Sequence, residues 1–255
     1  MKINETYNFE RKEANGVTVS GVGDLVPEVY YEVLIQREVN NLREYAQTME
    51  DELHKKSEND SMYHYDELIG NGKTRLLYID KLDDYAKYTV HFPYMLRHSL
   101  ITSIYSLLEE RLLNTCNRSG ILLEVGTVKD YLKEDKKRKK DTGIFLAQAY
   151  LKEYIAIDVT TYDSEWNTIL GFNQLRNCIV HDRGNINKLS HSGKKDKREE
   201  IINAINSLGT DIVNVERGHI VFTEKACFKL LDCIEELFKQ IYGRVLEIRN
   251  SNEFK

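Results

Sequence analysis

Arg176, Asn177 and His181 fall within six positions of one another in the stretch NQLRNCIVHDRG, residues 173 to 184. An arginine keeps its charge at any working pH and presents a planar fork to phosphate oxygens. Histidine can take or give a proton near neutral pH, and an asparagine amide can orient either group. Together these side-chain types suit proton transfer at a phosphate whose developing charge must be stabilised. At about 100° per residue, with Arg176 at zero, Asn173, Asn177, His181 and Gln174 lie between about 60° and 160°. Cys178, Leu175, Ile179 and Phe172 fall between about 200° and 320°, the side such a helix would bury. Val180, near 40°, is the apolar exception on the polar side. Asn177 and His181 are four apart, so their side chains can meet, and the long Arg176 side chain can swing toward both. The same residues also suit an ordinary helix end, with His181 favoured by the dipole and Gly184 just past the last turn.

The helix that carries this set is expected from about Asp163, as N-cap, to His181. The rest of the chain is also expected to be mainly helical, because it holds only two prolines and long runs with apolar residues at helical spacing. Pro27 and Pro93 both sit near expected helix starts. Residues 28–56 predict a long amphipathic helix with Val29, Val33, Leu34, Leu42, Tyr45, Met49 and Leu53 on its apolar face. A polar loop or boundary, KSENDSMYHYDELIGNGKT, follows it. Residues 94–116 predict a second helix, and a third starts at 144. After His181 the polar, basic stretch NINKLSHSGKKDKR leads to a short helix near 198–208. DIVNVERGHIVFTE alternates apolar and polar residues around Gly218, as a β-hairpin would. Thr223 is then placed to cap a closing helix with a stripe of Phe228, Leu231, Ile234, Leu237, Phe238 and Ile241.

With 255 residues, 41% of them hydrophobic, the chain can bury a sizeable core. A net charge of −5 makes no global case for a polyanion binder, so any such site must be local. Cys116, Cys178, Cys227 and Cys233 form no CxxC pair and have no histidine at metal-ligand spacing, which points to a reducing cytoplasm and away from zinc or disulfides. No leader-like start and no apolar run long enough to span a bilayer is found, so no membrane partner is expected.

RNCIVH matches the Arg, four to six residues, His motif of the HEPN superfamily, with the polar residue after the Arg in place. On these residues the chain resembles a HEPN domain over roughly 91–250. The resemblance implies a mainly α, HEPN-like helical bundle with a small β-hairpin insertion and an N-terminal helical extension. Residues 1–90 would form the extension, a sensor, partner-binding or dimer-interface region, and 91–255 the bundle. It further implies a metal-independent endoribonuclease, a toxin or anti-phage effector, in which two copies bring their motifs together across a two-fold axis. The 2′-OH of RNA is the nucleophile, His181 the general acid or base, Arg176 the phosphate ligand and Asn177 their support. No metal or cofactor is implied. An acidic residue on an earlier helix points at the site in some relatives, and Glu109 and Glu110 are the candidates. RNA would be the substrate, tracked by basic residues at Lys137, Arg138, Lys194 and Lys195. An antitoxin or defence-system protein would be a further partner. Some relatives carry a tyrosine two residues after the histidine as a modification site, and Arg183 stands there instead. The rival expectation is a non-catalytic HEPN module that dimerises and holds a nucleotide or a protein.

Other signals carry less. GNGKT at 70–74 resembles the end of a P-loop, but Glu67 stands where a glycine is required and no buried strand precedes it, so a turn is expected. His54, His64, His91, His98, His191 and His219 show no metal-ligand spacing. Tyr105 and Tyr242 fall at core-facing positions, where packing accounts for them. Charge runs such as KEDKKRKK and KKDKR are commonly solvated surface.

Overall fold

A computed structural model describes residues 31–62, 85–134, 142–191 and 195–251. Helices dominate, with one two-stranded antiparallel sheet among the described residues. Helix α1, Arg37–Met62, continues from a π-helical turn at Tyr31–Gln36. Helix α2, Phe92–Leu122, likewise follows a π-helical turn, Lys87–His91, and Pro93 sits in its first turn, where a missing N–H costs no hydrogen bond. Short α3, Val128–Glu134, precedes α4, Gly143–Tyr150, which runs on as a π-helical turn to Ile155. Then come α5, Asp163–Asp182, short α6, Asn187–His191, and α7, Lys195–Leu208. The hairpin pairs β1, Val213–Glu216, with β2, His219–Phe222, and α8, Lys225–Ser251, closes the chain.

Helix α5 lies at the centre of the packing, against α7, α8 and α2. It buries Trp166, Ile169, Phe172, Leu175 and Cys178, and spacing of three keeps these on one slowly drifting face. From α8, Leu231, Ile234, Leu237, Phe238 and Ile241 are all buried, while Phe228 is only partly covered. Ile35, Val39 and Ala46 bring the N-terminal helix into this same core.

Several local expectations need correcting. The first helix does not give way to a loop at Lys56 but continues to Met62. Its inner face is also displaced from the expected stripe: Tyr45 is 51% exposed, whereas Ala46 and Glu50 are buried. Glu50 can occupy that position because Arg97 donates from Nε and Nη2 to its two oxygens at 2.8 and 2.7 Å. Asp163 is not the N-cap of α5; it is the first helical residue, and Tyr162 precedes it without a side-chain cap. Thr223 does not cap α8 through its hydroxyl, which donates to the Asp211 carbonyl at 2.6 Å. Four of the five residues of the expected loop KKDKR form the first turn of α7, since the helix starts at Lys195. Helices α3 and α6 are too short for a hydrophobic period to reveal them. The expected turn at GNGKT, with Glu67, and the helix start at Pro27 lie outside the described residues.

The hairpin holds the end of α5 in place. Arg183 closes that helix in a left-handed conformation, φ 56°, and the N–H groups of Arg183 and Gly184 both donate to the Cys178 carbonyl. The next residues join the hairpin, with Ile220 N–H on the Gly184 carbonyl and Ile186 N–H on the Gly218 carbonyl, each at 2.9 Å. On its other side β2 is gripped by α2, where His98 Nε2 donates to the Ile220 carbonyl at 2.9 Å and Arg97 Nη1 to the Phe222 carbonyl at 3.1 Å.

Candidate functional site

Arg176, Asn177 and His181 occupy the last two turns of α5. Arg176 leans toward α2. Its Nη2 is 3.8 Å from Glu109 Oε2, and its guanidinium carbon lies 5.8 Å from the centre of the Tyr105 ring. Nη1 donates to Asn177 Oδ1 at 3.1 Å, while the buried Nε has no hydrogen-bond partner among the described residues. The guanidinium is thus held from two sides but only partly satisfied.

Asn177 passes the contact on, donating from Nδ2 to Asn173 Oδ1 at 3.2 Å. The sequence allows Asn177 and His181 to meet. Instead the Asn177 carbonyl oxygen takes the charge-assisted bond from its neighbour Arg176, and no hydrogen bond to His181 occurs among the described residues. His181 is exposed at the helix end. It shares with Asn177 and Cys178 the wall of a cavity of about 470 Å³, whose far side is formed by Lys197 and Ile201 of α7. Arg176 and His181 therefore sit on the two shoulders of α5, with Asn177 between them, bonded to the first and lining the cavity of the second. Val180, 48% exposed, separates them on the open surface.

Of the two acidic candidates on α2, Glu109 faces Arg176. Glu110 does not: its side chain is 64% exposed and its nearest cation is Arg111, at 3.9 Å. Gly143, at the start of α4, lets the backbone approach Glu109 closely. A Cβ there would stand 2.6 Å from Glu109 Oε1, and its φ of +58° is itself unfavourable for a side chain. Beneath the pair, burial and the nearby Glu109 push the Tyr105 hydroxyl to a higher pKa than an exposed tyrosine, while Arg176 opposes them. The hydroxyl stays protonated and has no partner among the described residues. Lys137, Arg138 and Lys194 lie outside the described residues, and Lys195 contributes the first residue of α7.

No family model, curated protein or solved structure matches this chain. The chemistry of the site has to be read from its own atoms. Burial pushes the Cys178 thiol up to about 11, so it lines the cavity as a protonated, weakly polar group and not as a nucleophile. Sequence spacing gave no sign of the cavity, because its α7 side depends on how that helix folds back. Nor did it indicate a metal-ligand set, yet Glu50, His54 and Glu224 bring ligand atoms within 4.8 Å of one another. Both Glu50 oxygens are taken by Arg97, and His54 Nε2 is 2.9 Å from Glu224 Oε2, so the ligand atoms of this trio are already engaged by protein groups. Among the described residues no helix is long and apolar enough to cross a membrane.

Proposed function

We propose that this chain is a metal-independent endoribonuclease of the HEPN type, acting as a toxin or defence effector, whose working site is completed by a second copy. The observation that carries the reading is Arg176. Its guanidinium is oriented by Asn177 and Glu109, its buried Nε lacks a partner among the described residues, and its Nη2 stands 3.8 Å from Glu109, too far for a hydrogen bond, which leaves that donor for a ligand. A cation with an unused donor, on the same helix end as an exposed histidine, suits a phosphodiester once a second copy brings the two together.

In this mechanism a base removes the proton of the ribose 2′-OH, and the freed oxygen attacks the adjacent phosphorus. The P–O5′ bond breaks, leaving a 2′,3′-cyclic phosphate, and an acid protonates the departing 5′-oxygen. His181 from each copy supplies one of the two proton transfers. Arg176 neutralises charge on the non-bridging oxygens as the pentacovalent state forms. Two copies are needed because within one chain His181 and Arg176 stand on opposite shoulders of α5. Pairing across a two-fold axis brings the His181 of one copy beside the Arg176 of its mate.

The tie between Arg176 and Glu109 favours a second reading, a non-catalytic dimerising module whose groove holds a nucleotide or a partner protein. Incubating the full chain with total RNA and tRNA in EDTA, with His181→Ala in parallel, decides between them. Cleavage to cyclic-phosphate ends that disappears in His181→Ala is the expected result. A folded dimer that leaves RNA intact overturns the ribonuclease reading, and a monomer at working concentration overturns the shared site.

A further inference from the structure

The cavity beside His181 has a chemistry of its own. Its floor is apolar, made by the buried Cys178, Leu189 and Ile201, and its volume of about 470 Å³ falls in the range of small-ligand sites. Around the rim stand polar groups of two kinds. Lys197 is a cation, whereas Glu200, Asp182 and Gln174 present oxygen acceptors. Lys197 and Glu200 are three apart on α7, at a spacing where opposite charges commonly pair. They form no ion pair, and neither has a hydrogen bond among the described residues. Neither charge is engaged by another described residue at the rim.

An apolar floor, an acceptor-rich rim and a lysine match a nucleotide: ring over the floor, base donors at the acceptors, phosphate at the cation. The balance of the rim selects among bases. Guanine offers two adjacent donors, N1–H and the 2-amino group, to which a carboxylate can bond with both oxygens. Adenine and cytosine offer one amino group each, and uracil a single N–H between two carbonyls that would meet Glu200 and Asp182 as repelling acceptors. We infer that this cavity is a one-nucleotide subsite with a preference for guanine, in which Glu200 reads the base edge and Lys197 holds the phosphate. The inference rests on the ribonuclease reading only in making that nucleotide the one next to the bond that is cut. Glu200 is then a specificity-determining residue and Lys197 a sequence-neutral one.

The test is a calorimetric titration of the full chain with 3′-GMP, 3′-AMP, 3′-CMP, 3′-UMP and inorganic phosphate, repeated on Glu200→Gln and Lys197→Ala. Both residues are exposed, so both variants should keep the parent melting temperature. The expected result is GMP binding at least about tenfold tighter than UMP, a loss of that preference in Glu200→Gln, and a uniform weakening for all four in Lys197→Ala. Equal affinity for the four nucleotides, or a guanine preference that survives in Glu200→Gln, overturns the proposal. Tight binding of phosphate alone with no base contribution overturns it equally. None of these ligands can be cleaved, so the outcome is independent of activity. If guanine binding holds while RNA is left intact, the ribonuclease reading fails and the subsite stands. If RNA is cut but no base preference appears, the subsite fails and the ribonuclease stands.

Discussion

Two arginine–glutamate pairs, both joining α2 to another helix, are built to opposite ends. Arg97 meets Glu50 through two hydrogen bonds of 2.8 and 2.7 Å and places its remaining Nη1 on the Phe222 carbonyl, with side chains 17% and 5% exposed. Arg176 meets Glu109 only at 3.8 Å, with side chains 23% and 30% exposed, and keeps a buried Nε without a partner. The first pair leaves the guanidinium no free direction. It ties α1, α2 and the hairpin together, and an added anion would find no place there. The second pair steadies a cation without satisfying it, as the proposed phosphate site would require. Proteins commonly carry such unmet polar capacity where it is used.

Crossing the two arginines gives the largest contrast. Arg97→Ala should cost about 3–5 kcal/mol of folding stability in a urea titration, because it strands a buried carboxylate. Arg176→Ala should cost less than about 1 kcal/mol and instead lower RNA cleavage by about 10²–10³. Equal stability losses in the two variants would remove the distinction. A smaller effect sharpens the looser pair. Glu109→Gln removes a negative charge beside the proposed phosphate ligand, so RNA affinity, measured by fluorescence anisotropy, should rise about two- to threefold at moderate salt. Unchanged or weaker binding would mean that Glu109 chiefly positions Arg176.

A further effect, on stability alone, concerns the hairpin clamp. Burial depresses the His98 pKa, opposed by its bond to the Ile220 carbonyl and aided by the nearby His219. A histidine depressed in the folded state supports stability above its unfolded value of about 6.5, and that support is lost as pH falls below it toward the folded value. Stability should therefore decline from about pH 6.5 downward with a slope of at most about 1.4 kcal/mol per unit from this group. His98→Gln, which can keep a donor toward Ile220 without titrating, should flatten that part of the curve. An equally steep decline in the variant would place the acid sensitivity elsewhere.

Helical periodicity made the mainly α class legible, along with the buried stripe of α8 and the division of α5 into a buried side and a side carrying Arg176, Asn177 and His181. Alternation around Gly218 did the same for the hairpin. These features depend on residues close in sequence, whose angular relation about one axis is a property of the helix or strand itself. Which of two adjacent carboxylates meets Arg176 is a different matter. Glu109 and Glu110 differ by about 100° around α2, and only the packing of α2 on α5 chooses the first. The same holds for α1, where Glu50 is buried and Tyr45 is not because Arg97 arrives from another helix. It holds again for the cavity, since Lys197 and Glu200 acquire a shared surface with His181 only when α7 folds back on α5. Local spacing thus decided which residues share a face, and tertiary packing decided what each face meets, because partners distant in the chain are selected by the fit of whole helices.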